Sequence, residues 1–331
     1  MPTESMYLVT NSQLTNIASA IRSKNGETSF YTVDEMPSKI TAISGGGGII
    51  PTGTITISTN GMHNVYNYAS ASVNVPEDDY MLKYQGVNLL TSYTDLTSTS
   101  VTYGAFAYTS KLSSVSFPAA THIGSYAFAY CYVLRTISFP KVTTIQAYAF
   151  QYCSSMNYAI NSTNFPSLTG TVGNGAFRGC QYLTGVDLSN VTSLGTQAFS
   201  ACSRITTVNM PKLASIGAGA FSYLTTCSSY SLPLLTYVAS NAFVSNWKLT
   251  TLTLPSVKTI SAYAFRYCSS LMSLYLTCSS VPTLNASAFL NMPFSVSVNN
   301  TYGSIYVPSS LYNTYSTATN WTTYKNRLVS F

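Results

Sequence analysis

The chain has 331 residues, of which only 7% are charged, and it contains 27 tyrosines and two histidines. This length is ample for a sizeable core with accessory domains. A polar, weakly charged and tyrosine-rich composition suits an extracellular or virion protein better than a cytosolic enzyme. Residues 1–100 hold eight acids and four bases, a net charge of −4, whereas residues 101–331 hold eleven bases and one acid, a net charge of +10.

The basic part of the chain favours an anionic partner. Its bases are scattered, however, and no stripe of Lys and Arg follows a path that could track phosphates, so we expect no nucleic-acid partner. The alternative is that these charges only keep a weakly charged surface soluble. No apolar run approaches the ~18 residues that a membrane span needs, so we expect no membrane insertion.

Residues 1–44 carry two short patterns of helical periodicity. The predicted apolar faces consist of Leu14, Ile17, Ala18 and Ile21 in the first segment and Met36, Ile40 and Ile43 in the second. Thr32 and Glu35 have the spacing of a capping box at the start of the second segment. Two such helices cannot bury enough surface alone. We therefore predict that residues 1–44 form a helical attachment or oligomerisation module.

Three short segments separate this module from the rest of the chain. Residues 45–52 are glycine-rich and predict a flexible linker. Residues 53–76 alternate apolar and polar side chains around Asn60-Gly61, which predicts a small β-hairpin module. Residues 77–100 are expected to act as a linker and N-terminal cap.

From residue 101 onward an Ala-Phe pair returns with a nearly constant period. The spacings between successive phenylalanines are 22, 22, 27, 22, 22, 22, 22 and 24 residues. The positions are Phe106, Phe128, Phe150, Phe177, Phe199, Phe221, Phe243, Phe265 and Phe289. Regular recurrence at this length indicates stacked units that bury one shared core. The 27-residue spacing predicts a loop near Asn161–Pro166.

Each repeat contains a short strand-like segment, such as Thr136–Phe139, and a turn-like segment around its Ala-Phe pair. Stacking would pair the strands in parallel and align the phenylalanines in a buried column. We therefore predict a repeat solenoid over residues 101–304 with about nine repeats. Its parallel β array would be mainly β with short helical or 3-10 turns, preceded by short α-helices and a small β module.

The motif I-G-x-x-A-F-x-x-C followed by L-x-x-I-x-F-P resembles the BspA-like class of leucine-rich repeats. The resemblance covers residues 101–331, and the segment 305–331 resembles the short helical cap that closes such arrays. The run LTNIASAIRSKNG followed by TVDEMPSKITAI resembles an N-terminal module of tail-associated proteins of phages and prophages of Gram-positive bacteria. This second resemblance implies a homotrimer and attachment to other tail or baseplate proteins through residues 1–76.

Five of the seven cysteines occupy one repeat position, three residues after Phe: Cys131, Cys153, Cys180, Cys202 and Cys268. A disulfide framework, a metal site and buried small apolar residues are the three interpretations. Other repeats place Thr109, Leu224 or Met292 there, which favours buried residues. No CxxC motif occurs, so a zinc site is not expected. We expect no metal and no cofactor.

The repeat region offers few groups for catalysis, with one carboxylate, Asp187, and one histidine, His122. No nucleophile-elbow motif marks a serine, and the tetraglycine lacks the Lys-Ser/Thr of a phosphate loop. We therefore expect a binding protein and no enzyme.

Large aromatic and basic residues cluster in the turn-like segments, where the residue type varies between repeats. Tyr and Trp among small polar residues suit an adaptable contact surface. The candidate binding residues are Tyr126, Tyr130, Tyr148, Tyr152, Trp247, Tyr263, Tyr267, Arg204 and Lys248. The alternative is that these tyrosines only shield the convex side of the core, with their hydroxyls in water.

Two functional hypotheses follow. The first is a phage or prophage-derived tail fibre, a receptor-binding protein that recognises a polysaccharide, teichoic acid or protein on the bacterial surface and is located in the virion. The second is a BspA-like adhesin on the bacterial cell surface that binds host or neighbour-cell ligands. No signal peptide or wall anchor is visible in the sequence. This favours the first hypothesis, since an adhesin must be exported.

Overall fold

The computed structural model describes residues 90–297 and 301–331. The predicted modules at 1–44, 45–52 and 53–76, and the first part of the predicted cap, lie outside the described residues.

A nine-stranded parallel sheet runs the length of the repeat array, with one very short strand from each repeat. The 22-residue period sets the register, so Ile123 pairs with Val101 on one side and with Ile145 on the other. The strands are β2 (Ser100–Val101), β4 (His122–Ile123), β6 (Thr144–Ile145), β8 (Gly170–Val172), β10 (Val191–Leu194), β12 (Ser215–Ile216), β14 (Tyr237–Val238), β16 (Thr259–Ile260) and β18 (Thr283–Leu284).

A second parallel sheet is formed by the alternate strands, in segments of three, four and four strands. Within each strand the central residue is mostly buried and its neighbours mostly face solvent, which is the alternation of a sheet with one buried face. The strands are β1 (Ser92–Thr94), β3 (Ser114–Ser116), β5 (Thr136–Ser138), β7 (Ala159–Asn161), β9 (Gly185–Asp187), β11 (Thr207–Asn209), β13 (Ser229–Ser231), β15 (Thr251–Thr253), β17 (Ser273–Tyr275), β19 (Ser304–Val307) and β20 (Leu328–Ser330).

These two sheets confirm the predicted repeat solenoid with a parallel β array. Strand β1 begins the second sheet before residue 101, and β19 and β20 continue it after residue 304. The parallel stacking therefore extends past the nine phenylalanine repeats in both directions.

The core lies between the sheets and is organised around the nine repeat phenylalanines. Their rings form one continuous column, in which neighbouring centroids are between 5.2 and 6.3 Å apart. A buried aromatic side chain contributes roughly 2–3 kcal/mol. The column therefore compensates for strands that are only two to four residues long.

A second aromatic column packs against the first in the N-terminal half. Phe117, Phe139 and Phe165 stack on one another at 5.8 and 5.9 Å. The predicted loop at Asn161–Pro166 exposes its residues 162 and 163, but it returns Phe165 to this column, where its ring is almost completely buried.

The C-terminal residues close the open end of the phenylalanine column. Helix α1 (Tyr312–Thr317) lies between two 3-10 turns, Ser309–Leu311 and Thr322–Arg327. Trp321 is buried 6.0 Å from Phe289 and donates its indole N–H to the Pro282 carbonyl at 2.7 Å. In the described ranges no helix has the length and apolar character to cross a bilayer.

Candidate recognition surface

Eight of the nine repeat turns have two residues in the left-handed backbone region, two places before and two places after the phenylalanine, and the turn of Phe289 has only the second. We call these positions −2 and +2. At position −2 the φ angle is positive in Gly104, Tyr126, Tyr148, Gly175, Gln197, Gly219, Asn241 and Tyr263. At position +2 it is positive in Tyr108, Tyr130, Tyr152, Gly179, Ala201, Tyr223, Ser245, Tyr267 and Asn291.

This backbone shape lets consecutive turns hydrogen-bond to each other. The N–H groups of position −2, of Phe and of position +2 donate to carbonyls of the next turn. In the turn of Phe128 these bonds run from Tyr126 to Ala147 (2.9 Å), from Phe128 to Ala149 (2.7 Å) and from Tyr130 to Gln151 (2.7 Å). The turns therefore form a third hydrogen-bonded layer beside the two sheets.

Left-handed backbone disfavours tyrosine. The conformation costs an L-residue roughly 1–2 kcal/mol, a cost that glycine avoids and asparagine tolerates best. The variation in residue type between repeats suggests that the fold accepts any residue at positions −2 and +2. The positive φ angles show instead that these positions share one backbone constraint. Tyrosine thus occupies sites where the backbone favours other residues.

Tyrosines in the first three repeats form two adjoining columns, which we call the tyrosine patch. In one column Tyr126 lies 5.6 Å from Tyr103 and 4.8 Å from Tyr148. In the other, Tyr130 stacks on Tyr108 at 4.6 Å and on Tyr152 at 5.2 Å. The patch consists of Tyr103, Tyr108, Tyr126, Tyr130, Tyr148 and Tyr152. Four of the predicted binding residues therefore lie together, joined by two that the prediction omitted.

Both columns end at the same turn. A Cβ atom on Gly175 would collide with the ring of Tyr148, and one on Gly179 would collide with the ring of Tyr152. The last two tyrosine rings therefore lie directly over glycine backbone. Glycine at these positions was a signal in the sequence, because it replaces tyrosine at −2 and +2 in the same repeat.

Two hydroxyls of the patch, those of Tyr126 and Tyr130, have raised pKa values and are neutral at neutral pH. Burial and the neighbouring tyrosines raise the pKa of Tyr126, and burial and Tyr108 are the main causes that raise the pKa of Tyr130. A neutral phenol both donates and accepts hydrogen bonds.

The other predicted binding residues lie apart from the patch. Arg204 places its guanidinium 4.1 Å from the ring centre of Tyr182. Tyr263 and Tyr267 flank Arg266, which donates a 2.9 Å hydrogen bond to the Tyr267 hydroxyl. Hydrogen bonds from Arg266 and Asn291 lower the pKa of Tyr267. Trp247 and Lys248 are exposed in the turn between these two groups.

The second sheet presents a different surface. Its exposed side chains are mainly Ser, Thr and Asn, as in Thr207, Asn209 and Thr251. An aromatic pair missed by the sequence analysis lies near its end, where Tyr275 stacks on Tyr306 at 4.3 Å. The two are paired directly across β17 and β19.

The repeated cysteines act as hydrogen-bond donors inside the core. The thiol of Cys131 donates to the Phe106 carbonyl at 3.0 Å, and the four others at this position bond in the same way. Asn246 takes this role in a repeat without cysteine and bonds to Phe221 and Phe243. All seven cysteines are buried and unpaired. Over the described ranges, His, Cys, Asp and Glu form no cluster that could hold a metal ion.

Comparisons with known proteins identify the repeats. The model of the family described as BspA type Leucine rich repeat region matches in six copies, within residues 84–157, 99–228, 156–272 and 212–318. No curated protein matches the chain.

Several solved structures are similar to the chain at low identity. A leucine rich cell surface protein from Faecalibacterium prausnitzii A2-165 is 19% identical over 78% of this chain and 89% of its own, with a TM-score of 0.33. The T. pallidum leucine rich repeat protein is 23% identical over 46% and 86%, with a TM-score of 0.33. The pneumococcal vaccine antigen PcpA is 15% identical over 84% of each chain, with a TM-score of 0.35.

Proposed function

Since the chain belongs to the BspA-type leucine-rich repeat family, we propose that it is a non-catalytic recognition protein that binds a ligand at a cell surface through its repeat turns. The observation that carries the proposal is the tyrosine patch. Six tyrosines adjoin there, and five of them occupy left-handed backbone, where glycine or asparagine would be less strained.

A shielding role for these tyrosines explains the patch less well. The phenylalanine column beneath them is already fully buried in repeats that carry Gly179 or Ala201 at the same position. Shielding therefore does not require tyrosine. Tyr108 is 55% exposed, which also favours a role in contacts with another molecule.

We place the protein on a bacterial cell surface, as an adhesin that binds host or neighbour-cell ligands. The family supports this location, because BspA-like repeats are associated with surface proteins. A phage tail receptor-binding protein in the virion is the second candidate. It is favoured by the resemblance of the N-terminal region, whose residues 1–76 would attach to other tail or baseplate proteins, and those residues lie outside the described part of the chain.

Cell binding tests the proposed function. The fluorescently labelled full chain is measured by flow cytometry on a panel of bacterial and epithelial cells. We expect binding that is lost in the variant with Tyr130→Asn and Tyr152→Asn, because asparagine suits the left-handed backbone while removing both rings. The matched control is Thr207→Ala with Thr251→Ala on the second sheet, which should bind normally. Loss of cell binding in the control variant alone would place the binding site on the second sheet. Absence of binding to every cell type would contradict the proposal.

The location is tested separately. Antibody against the repeat region is used on cell-envelope fractions and on particles purified from induced cultures. Signal in the envelope supports the adhesin, whereas signal confined to the particles supports the tail protein.

A further inference from the structure

We propose that the tyrosine patch binds a neutral linear polysaccharide lying along the stacking direction of the repeats. This inference rests on the proposed function and names the ligand class for the same surface.

The regular spacing of the patch points to a periodic ligand. Successive rings in the two columns are 4.6 to 5.6 Å apart, which follows the spacing of the strands beneath them. A sugar unit in an extended polysaccharide advances by about the same distance as one strand spacing, ~4.8 Å. Each row of the patch would therefore meet an equivalent part of the ligand. An irregular protein surface gains nothing from this repetition.

Ring stacking within the columns selects hydrogen bonding as the mode of contact. Tyr130 lies between Tyr108 and Tyr152, with interplanar angles of 6° and 28°, so both of its ring faces are covered. Such a ring can therefore contact a ligand through its edge and its hydroxyl. A row of phenols that can donate and accept matches a polymer whose hydroxyl groups also do both.

The absence of charge at the patch positions themselves favours a neutral polymer over an anionic one. Within residues 90–297 and 301–331 there are eleven Lys and Arg and only two acids, Asp95 and Asp187. Nevertheless, no residue at position −2 or +2 of any repeat turn is charged. Recognition of phosphate or carboxylate relies on Arg and Lys. The positive charge of Arg178 partly offsets the rise in the pKa of Tyr130. Arg178 lies in the turn of Gly175 and Gly179, where both tyrosine columns end.

The extent of the patch sets the length of ligand that it contacts. Each column contains three tyrosines and stops at Gly175 or Gly179. Three consecutive sugar units would therefore fill the patch, and further units would extend beyond it. Affinity should rise with oligosaccharide length up to about three units and change little afterwards.

Affinity electrophoresis of the full chain tests the inference. Native gels contain hydroxyethyl cellulose, glucomannan, xylan, laminarin, mannan or dextran as neutral probes, with heparin and polygalacturonate as polyanions. We expect at least one neutral polymer to retard the chain, and raising the salt to about 0.5 M should not release it, because salt screens only charge interactions. Short oligomers of the retarding polymer then compete, and the trimer should compete about as well as longer chains.

Two conservative variants separate the hydroxyls from the rings. Tyr130→Phe with Tyr152→Phe keeps the stack but removes two hydrogen-bonding groups, so affinity for the retarding polymer should fall about tenfold. Tyr223→Phe is the matched control, since Tyr223 occupies position +2 but is flanked by Ala201 and Ser245 at that position in the adjacent turns. It should bind like the native chain.

Three results would overturn the inference: retardation by the polyanions alone, no retardation by any neutral polymer, or unchanged affinity in the double phenylalanine variant. The proposed function fails differently. If the asparagine variant still abolishes cell binding while no neutral polymer binds, the surface role stands and only the ligand class is wrong.

Discussion

At the scale of single residues, the tyrosines of the repeat turns combine an unfavourable backbone with an exposed side chain. The cost of the backbone conformation depends on the residue type, since a β-branched side chain fits the left-handed region worst and asparagine fits it well. Stability measurements on one such position can therefore test the turn geometry apart from any ligand.

Tyr223 is the position best suited to that test, because its side chain is half exposed and its φ is 59°. Tyr223→Val should be less stable than Tyr223→Asn by about 1–2 kcal/mol. Urea unfolding followed by circular dichroism measures the difference. Equal stability of the two variants would contradict the left-handed conformation.

Asp95 is a buried carboxylate near the start of the array. It accepts hydrogen bonds from the backbone N–H groups of Thr97 and Ser98, both at 2.9 Å, and from their hydroxyls. Burial raises the pKa of Asp95, but these bonds outweigh it and hold the pKa below its usual value. The ionised form is therefore the one that stabilises the fold.

A folded-state pKa below the unfolded value makes stability depend on pH. The contribution of Asp95 is present above about pH 4, the ordinary pKa of Asp, and is lost as pH falls through the lower folded-state pKa. Asp95→Asn should thus be less stable than the native chain at pH 7, and the difference should shrink in acid. Thermal unfolding at several pH values measures it, and a difference independent of pH would refute this role.

At the scale of repeated elements, the phenylalanine column is a large source of stability, because all nine rings are buried. Phe199 is completely buried, with Phe177 at 5.2 Å and Phe221 at 6.3 Å. Phe199→Ala opens a cavity in the middle of the column and should lower the free energy of unfolding by roughly 3–5 kcal/mol. Denaturant unfolding measures this loss. Thr207→Ala on the exposed side of β11 is the control and should change stability by less than about 0.5 kcal/mol.

The repeated cysteines should be unreactive in the folded chain. Burial raises the pKa of Cys131 and of Cys268 to about 12, so almost no thiolate forms at neutral pH. A thiol-reactive dye should label none of the seven cysteines before unfolding and all of them in guanidinium. Since all are unpaired, reductant should leave the melting temperature unchanged. Rapid labelling of the native chain would show that the core opens locally.

The repeat sequence predicted the architecture because burial alone fixes its main features. A 22-residue period in Phe and in the strand residues requires stacked parallel strands, as Val115, Ile137 and Phe128 illustrate in neighbouring turns. Backbone dihedrals were not predicted from the same period. The signal was present, however, since Gly175, Gly179 and Asn241 share positions with tyrosines.

The candidate site was predicted less completely than the fold. Adjacent repeats with Tyr at one position imply a column, so Tyr126, Tyr130, Tyr148 and Tyr152 follow from the period. Tyr103 joins the patch from one residue before position −2, which the period does not reveal. The pairing of Arg204 with Tyr182 depends on side-chain rotamers, and a repeat pattern carries no information about them.

At the scale of the whole molecule, residues 1–44 are proposed to hold several copies of the chain together. The sequence supplies two amphipathic segments there, and the resemblance to phage tail modules implies a trimer. Light scattering on the full chain and on a chain lacking residues 1–48 tests this. We expect the full chain to be a trimer and the shortened chain to be a monomer. If both are monomers, residues 1–44 do not mediate self-association.

The hydrogen bonds that join successive turns also determine how such a protein can change over generations. The −2, Phe and +2 amides of one turn donate to the carbonyls three and one residues before and one residue after the phenylalanine of the next turn, so a duplicated unit of 22 residues meets its neighbours as the original did. Duplicating the unit around Tyr126 and Tyr130 would add one complete row to the patch and leave the core packing of the other turns intact. The length of polymer that the surface contacts therefore changes by whole repeats, and recombination within the gene can change it while the fold stays the same.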